Sequence, residues 1–134
     1  MGRKKSAERY SPPVLHHVSL EIRPDDLERT VQLFEAIGFG RVETPAPIAE
    51  YVVWLEREAT QVHLIQTPEP TVMPLGHPAF VAPDYEATLV TLNGAGFEVE
   101  ESRELWGERR AFATLPGGQR IELMAAPPPA KDPG

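Results

Sequence analysis

The pattern of apolar and polar positions begins with an alternating segment at 14–22, which predicts a strand with two unlike faces. Val18, Leu20 and Ile22 occupy one face of this strand, and His17 falls on the other. The next segment has an apolar stripe at helical spacing, and this predicts a helix with one buried side. The stripe is formed by Leu27, Val31, Phe34 and Ile37.

The ends of this helix carry capping residues. Asp25 or Asp26, directly after Pro24, is a candidate N-cap, and Gly38 is a candidate C-cap. Alternation resumes beyond the glycine and predicts three more strands, so that the first part of the chain reads as a βαβββ unit. These strands are predicted at 39–43, 51–56 and 61–66.

The second part of the chain repeats this order. A strand is predicted at 77–82, and Asp84 caps a helix with Tyr85, Leu89 and Leu92 on one side. A turn at 116–118 separates the last two strands. The three strands after the helix are predicted at 97–102, 109–115 and 119–125. The expected fold class is therefore α+β, with two βαβββ modules that form a cupped mixed sheet.

The two modules align as copies of one another. His77 follows His17 by 60 residues, and Glu122 follows His63 by 59. This period exceeds that of solenoid repeats and indicates a duplicated two-module domain.

We expect one domain at 14–126, with tails on either side. Module 1 covers 14–66, module 2 covers 76–126, and a proline-rich linker at 67–75 joins them. The segments 1–13 and 127–134 are expected to be a flexible N-terminal tail and a C-terminal tail.

Composition excludes several function classes. The 134-residue chain has a net charge of −7, which disfavours nucleic-acid binding, and it has no apolar run long enough for a membrane span. It has no cysteine, which fits a cytoplasmic protein and leaves only nitrogen and oxygen as metal ligands.

The period of two places four potential ligands on the sheet faces that the helices do not cover: His17, His63, His77 and Glu122. Three imidazoles and a carboxylate suit a divalent first-row metal such as Zn, Ni, Fe, Co or Mn. A lone histidine is more often structural, but four donors at repeat-matched positions favour a metal site.

Other residues have open roles. His63 is either a ligand or a hydrogen-bonding pocket residue, and His16 is expected to be structural or to face solvent. Trp54 lines a substrate pocket or packs in the core, and strand aromatics more often pack. By alternation, only one of Arg109 and Arg110 points to the ligand face. The candidate pocket residues are Trp54, Trp106, Arg110 and Phe112.

Over 14–126 the chain resembles the vicinal oxygen chelate superfamily, the group of glyoxalases, bleomycin-resistance proteins and extradiol dioxygenases. The resemblance is carried by His17-Val-Ser-Leu, Gly38-Phe39, Gln61-Val-His63-Leu-Ile, His77-Pro-Ala-Phe, Gly96-Phe97 and Ile121-Glu122-Leu123. It implies that the metal positions of the family fall on His17, His63, His77 and Glu122.

The resemblance implies a metal-dependent enzyme of the lyase or isomerase type, which acts on a small oxygen-bearing substrate through an enediolate or oxyanion. Glu122 would be both ligand and catalytic base. One alternative is an extradiol-type dioxygenase that holds Fe(II) with His17, His77 and Glu122, and another is a non-catalytic protein that binds an antibiotic. A homodimer is expected, with the ligands gathered within one chain or across two.

Overall fold

The structure is a computed structural model, and it describes residues 14–130. The predicted N-terminal tail and the last four residues of the C-terminal tail lie outside the described residues. The described chain forms two separate four-stranded mixed sheets and two α-helices. The predicted α+β class with two βαβββ modules is therefore confirmed.

The first sheet has the strand order β1-β4-β3-β2, in which β1 and β4 are parallel and the other pairs are antiparallel. A parallel pair needs a crossover, and the helix of the module provides it. The elements of this module are β1 (His17–Ile22), α1 (Leu27–Ala36), β2 (Gly40–Val42), β3 (Val52–Arg57) and β4 (Thr60–Gln66).

The second sheet repeats this topology with the order β5-β8-β7-β6, in which β5 and β8 are the parallel pair. Its elements are β5 (Ala79–Val81), α2 (Tyr85–Gly94), β6 (Glu98–Ser102), β7 (Arg110–Thr114) and β8 (Arg120–Met124). In each sheet the first strand of the module is an edge strand. Within residues 14–130, no strand of one sheet pairs with a strand of the other.

One hydrophobic core joins the two modules. Phe34 of α1 packs edge-to-face against Phe39 and against Phe80 of β5, with ring centroids 5.8 and 5.6 Å apart. Such aromatic pairs contribute about 0.5–1.5 kcal/mol each beyond the area that they bury. The core residues of each sheet lie on the face that packs against the helices. Few residues on the opposite face are buried, so one face of each sheet is left uncovered.

Two of the three helix caps proposed from the sequence are confirmed. The Asp84 carboxylate accepts a 3.0 Å hydrogen bond from the Ala87 N–H and caps α2 as predicted. Gly38 and Gly96 follow the two helices with φ of 97° and 86°, a conformation that costs other residues free energy. The predicted cap of α1 is wrong, because Asp25 and Asp26 belong to a short 3-10 turn and neither carboxylate caps the helix.

The failure of that cap has a local cause. An N-cap residue normally has extended backbone angles that aim its side chain at the first free N–H groups. Asp26 instead has φ −94° and ψ 2°, since the turn that starts at Pro24 already winds the backbone. The Asp26 carbonyl accepts a 2.7 Å hydrogen bond from the Thr30 hydroxyl.

Most predicted strands are shorter in the structure, and two of them lose three residues. The strand expected at 14–22 begins at His17, and the one expected at 77–82 contains only 79–81. Pro78 has no N–H for the ladder, although its carbonyl accepts a 2.9 Å hydrogen bond from the Glu122 N–H. His77 therefore lies just before β5, at the end of the linker. Neither helix of the described residues is long and apolar enough to cross a membrane.

Candidate functional site

The strand registers place the predicted ligands on the uncovered faces of the two sheets. His63 of β4 lies between Ser19 of β1 and Trp54 of β3, so it shares a face with His17, two residues before Ser19. In the second sheet, Glu122 of β8 lies between Ala79 and Phe112. The opposite face of each sheet carries the core residues.

His63 is the middle ring of a three-ring stack. Its ring centroid lies 4.0 Å from that of His17 and 4.3 Å from that of Trp54, with interplanar angles of 19° and 3°. The side chain is buried, with 8% of the residue exposed. Trp54 therefore lies beside His63 on the uncovered face and not in the hydrophobic core.

A chain of hydrogen bonds sets the orientation of the His63 ring. The Gln61 amide N–H donates to a Glu56 carboxylate oxygen at 2.7 Å, and its Oε1 lies 2.8 Å from His63 Nε2. A carboxylate only accepts, so the amide oxygen must face His63 and accept from a protonated Nε2. The lone pair of a neutral His63 ring is then on Nδ1.

The environment of His63 keeps the ring neutral. Burial, followed by the charges of His17 and His16, lowers the pKa of His63 from 6.5 to about 4. A neutral imidazole is the form that binds a metal or accepts a proton. His16 is exposed, as expected, and its Nδ1 lies 3.1 Å from Nδ1 of His17.

The second sheet carries a cluster of charged groups around Glu122. His77 Nε2 lies 3.0 Å from one carboxylate oxygen of Glu122, and Arg110 Nε donates to the other oxygen at 2.9 Å. Arg110 also donates to the Arg103 carbonyl at 2.9 Å. Arg109 points away and pairs with Glu86 and Glu101, so only one of the two arginines faces the site, as alternation predicts.

The remaining pocket candidates, Phe112 and Trp106, have different neighbours. The Phe112 ring meets the His77 ring edge-on at 4.9 Å, and it carries the Arg120 guanidinium at 4.0 Å from its centroid. Trp106, in the loop before β7, donates its indole N–H to the Ala126 carbonyl at 2.9 Å. Phe112 is therefore at the centre of the cluster, whereas Trp106 is anchored at the end of β8.

A cavity of about 980 Å³ separates the two edge strands β1 and β5. His17 and His77 both line it, together with the linker residues Thr71 and Met73. Its size is within the range of pockets for small ligands. Each sheet therefore contributes one ligand candidate to the same opening.

The donor chemistry fits a borderline divalent metal, since three imidazoles and one carboxylate are the ligands of Zn, Fe and Ni sites. Within residues 14–130, however, no three His, Asp or Glu side chains are close enough to hold one ion. The four candidates form two pairs instead, His17 with His63 and His77 with Glu122. One chain therefore supplies the four candidate ligands as two separate pairs.

Sequence reasoning missed Gln61, Glu56 and Arg120. Gln61 precedes His63 by two positions, and Arg120 precedes Glu122 by two, so alternation already places each beside a candidate ligand. The two residues also occupy equivalent positions in the repeat. The available signal was thus the face pattern, applied to polar residues other than metal ligands.

No protein-family model matches the sequence, and no curated protein matches it significantly. The fold of the chain is similar to that of several solved structures. A protein described as a glyoxalase family member from Bacillus anthracis shares 21% identity and a TM-score of 0.73, over 87% of this chain and 97% of that one. Lactoylglutathione lyase from Agrobacterium tumefaciens shares 17% identity and a TM-score of 0.63, over 85% of this chain and 95% of that one.

A third similar structure is the bleomycin resistance determinant encoded on transposon Tn5, with 16% identity and a TM-score of 0.57, over 80% of this chain and 94% of that one. The fold is thus the one that glyoxalases and bleomycin-resistance proteins share. The fold that the resemblance of the sequence implies is confirmed by these similar structures.

Proposed function

We propose that this chain is a metal-dependent enzyme of the lyase or isomerase type that acts on a small oxygen-bearing substrate. One observation carries the proposal. Two donor pairs occupy equivalent positions on the uncovered faces of two equivalent sheets, His17 with His63 and His77 with Glu122. A scattered set of structural histidines would not follow the strand order of both modules.

We further propose that two copies of the chain form one homodimer and share their sites. The donor pairs do not meet within residues 14–130, and each first strand is an unpaired edge. Leu15 and Met73 line the cavity between these edges, and they are 70% and 58% exposed. A two-fold partner would cover such a rim, and two-fold association is the commonest symmetric state.

His17, His77 and Glu122 would hold the metal, and Nδ1 of His63 would be available as a fourth donor because Gln61 occupies its Nε2. The metal would supply positive charge that stabilises an enediolate or oxyanion of the substrate. The nitrogen and oxygen donors suit Zn, Ni, Fe, Co or Mn. With no cysteine in the chain, we place the protein in the cytoplasm.

Other steps belong to the side chains of the site. Glu122 would move the proton at Oε1, the oxygen that meets His77 in the structure. Arg110 holds Oε2 and so fixes the plane of the carboxylate. Trp54 and Phe112 present ring surfaces on the uncovered faces, and these would limit the access of water to the substrate.

An extradiol-type dioxygenase is the second candidate, and the His63 stack favours it. Two histidines and one carboxylate with open positions are typical of non-haem Fe(II) oxygenases. The stacked ring of His63 lies parallel to that of His17, so the two rings do not converge on one point. If His63 is a pocket residue, His17, His77 and Glu122 are the three ligands of that class.

Metal analysis and chain mixing test the proposal. Protein purified without added metal should contain close to one ion per chain, and Glu122→Ala should lose most of it. Mixing His17→Ala chains with Glu122→Ala chains should restore about a quarter of the wild-type metal, as random two-fold pairing gives one intact site in each heterodimer.

A mixture of His77→Ala and Glu122→Ala chains is the control, because both changes damage module 2 and no pairing collects all donors. Restoration in the control, or none in the first mixture of dimeric chains, would overturn the shared site. A wild-type protein that binds no divalent metal would overturn the enzyme proposal itself.

A further inference from the structure

Arg120 is placed beside the candidate site without a charge partner. Its guanidinium carbon lies 4.0 Å from the centroid of the Phe112 ring, whose edge-on neighbour is His77. Among residues 14–130, no carboxylate pairs with Arg120 and no hydrogen bond engages its side chain. Phe112 thus supports a guanidinium on the uncovered face of the second sheet.

The carboxylates around this position leave the Arg120 side chain unpaired. Arg110 is neutralised by Glu122, which has no second charge to offer Arg120. Glu21 and Glu56, the acidic residues on the uncovered face of the first sheet, already accept hydrogen bonds from Thr71 and Gln61. On the second sheet, Glu98 and Glu100 lie opposite Thr114 and Phe112, and within residues 14–130 neither carboxylate pairs with Arg120. The N–H groups of the Arg120 guanidinium are therefore free to bind a ligand.

The chemistry of a stacked guanidinium selects its ligand. A ring face attracts the cation and restricts its rotation, while the N–H groups at the edge of the guanidinium remain available. Two of these N–H groups match the two oxygens of a carboxylate or phosphate. The spacing also fits a small molecule, because residues two apart on a strand are about 6.5–7 Å apart at Cα.

We propose that Arg120 binds an anionic group of the substrate, so that the substrate class is a small carboxylate or phosphate that also bears a carbonyl or hydroxyl group. This inference rests on the proposed function, since it takes Glu122 and His77 as the reacting end of the site. The anion would lie at the edge of the Arg120 guanidinium while the oxygen-bearing carbon reaches Glu122. A neutral substrate would leave Arg120 without a role.

Benzoate and benzamide are suitable probes, as they have the same shape and differ in charge. Their binding to the protein as purified is followed by NMR titration of the His77 and Phe112 ring resonances. Benzoate should saturate these shifts, and Arg120→Ala should weaken its binding at least about fivefold, which is within the effect expected for a charge-assisted hydrogen bond. Benzamide should bind weakly and equally to both proteins.

Arg41→Ala is the matched control, because Arg41 is an exposed arginine that pairs with Glu28 in the first module. It removes the same charge far from Phe112 and should leave benzoate binding unchanged. Arg120→Gln, checked by circular dichroism, replaces Arg120→Ala if that variant does not fold. Inorganic phosphate as a competitor of benzoate tells the two anion types apart.

Equal benzoate affinity in wild type and the Arg120 variants, or an equal loss in Arg41→Ala, would overturn the inference. The metal content of each protein is measured in parallel. A protein that holds metal while its benzoate binding ignores Arg120 refutes the anion site alone. A protein whose benzoate binding depends on Arg120 but which holds no metal refutes the proposed function alone.

Discussion

Arg110 Nε donates a 2.9 Å hydrogen bond to Oε2 of Glu122, and both side chains are almost fully buried, at 11% and 9% exposure. Burying a charge is costly unless a partner of opposite charge compensates it. The pair therefore stabilises the fold only while both members are present. It also couples the stability of the second sheet to the residue that we propose as metal ligand and base.

Arg110→Gln should destabilise the protein by about 3 kcal/mol, because it leaves the Glu122 carboxylate buried without its cation. Urea unfolding of the metal-free protein measures the change. Adding Glu122→Gln should recover part of the loss, since the second substitution removes the uncompensated charge.

The adjacent Arg109→Gln is the control for this change. Arg109 is exposed and pairs with Glu86 and Glu101, so its loss should hardly move the midpoint of unfolding. Equal shifts of the unfolding midpoint in Arg109→Gln and Arg110→Gln would show that the buried pair contributes no more to stability than the exposed one.

The pKa of His63, lowered to about 4 by burial, predicts a loss of stability in acid. The unfolded chain binds the proton near pH 6.5, whereas the folded chain binds it only near pH 4. The contribution of His63 to the free energy of unfolding is therefore fully present above pH 6.5. It falls as the pH drops toward 4, with a slope of up to about 1.4 kcal/mol per pH unit.

NMR titration of the His63 ring measures this pKa directly in the metal-free protein. His63→Phe should keep the stack and lose this part of the pH dependence of the unfolding free energy. A His63 midpoint near 6.5 in the folded protein would contradict the prediction.

The sheet faces could be predicted from the sequence, because a strand has a strict period of two. His17 and Glu122 lie on the faces that alternation assigns to them, and Phe80 and Leu64 lie in the core. The helices could be predicted as well, from the apolar stripe of α1 and from the spacing of Tyr85, Leu89 and Leu92 in α2. Local periodicity therefore accounts for most of the fold.

The distance between the donor pairs could not be predicted in this way. Alternation states which face a residue occupies but not how two sheets are placed relative to one another. The same limit explains Trp54, whose stacking on His63 depends on pairing between β3 and β4. The cap of α1 depends on backbone angles at Asp26 that a tendency for Asp at N-caps does not specify.

Gln61→Leu should change the tautomer of His63. The substitution removes the acceptor of the Nε2 proton, so that both neutral tautomers become accessible. Ring ¹⁵N shifts distinguish them, and the wild type should show protonated Nε2 and bare Nδ1. Gln32→Leu, at an exposed position of α1, should leave the shifts of His63 unchanged. A His63 ring that is protonated at Nδ1 in the wild type would contradict the relay through Gln61.

Arg57 joins the two modules, and its loss should weaken the contact between them. Its Nη1 donates to the Ile37 carbonyl at 3.3 Å in the first module and to the Val81 carbonyl at 2.5 Å in the second. Arg57→Met keeps an apolar chain in place of the aliphatic part of arginine but leaves both carbonyls without this donor. A net loss of about 1–3 kcal/mol is expected from hydrogen bonds to a charged group.

Arg41→Met, which breaks an exposed pair within the first module, should cost less. Urea unfolding of both variants makes the comparison, and hydrogen exchange at β5 locates the effect. Protection at β5 that is unchanged in Arg57→Met would show that the modules are held together by the aromatic core alone.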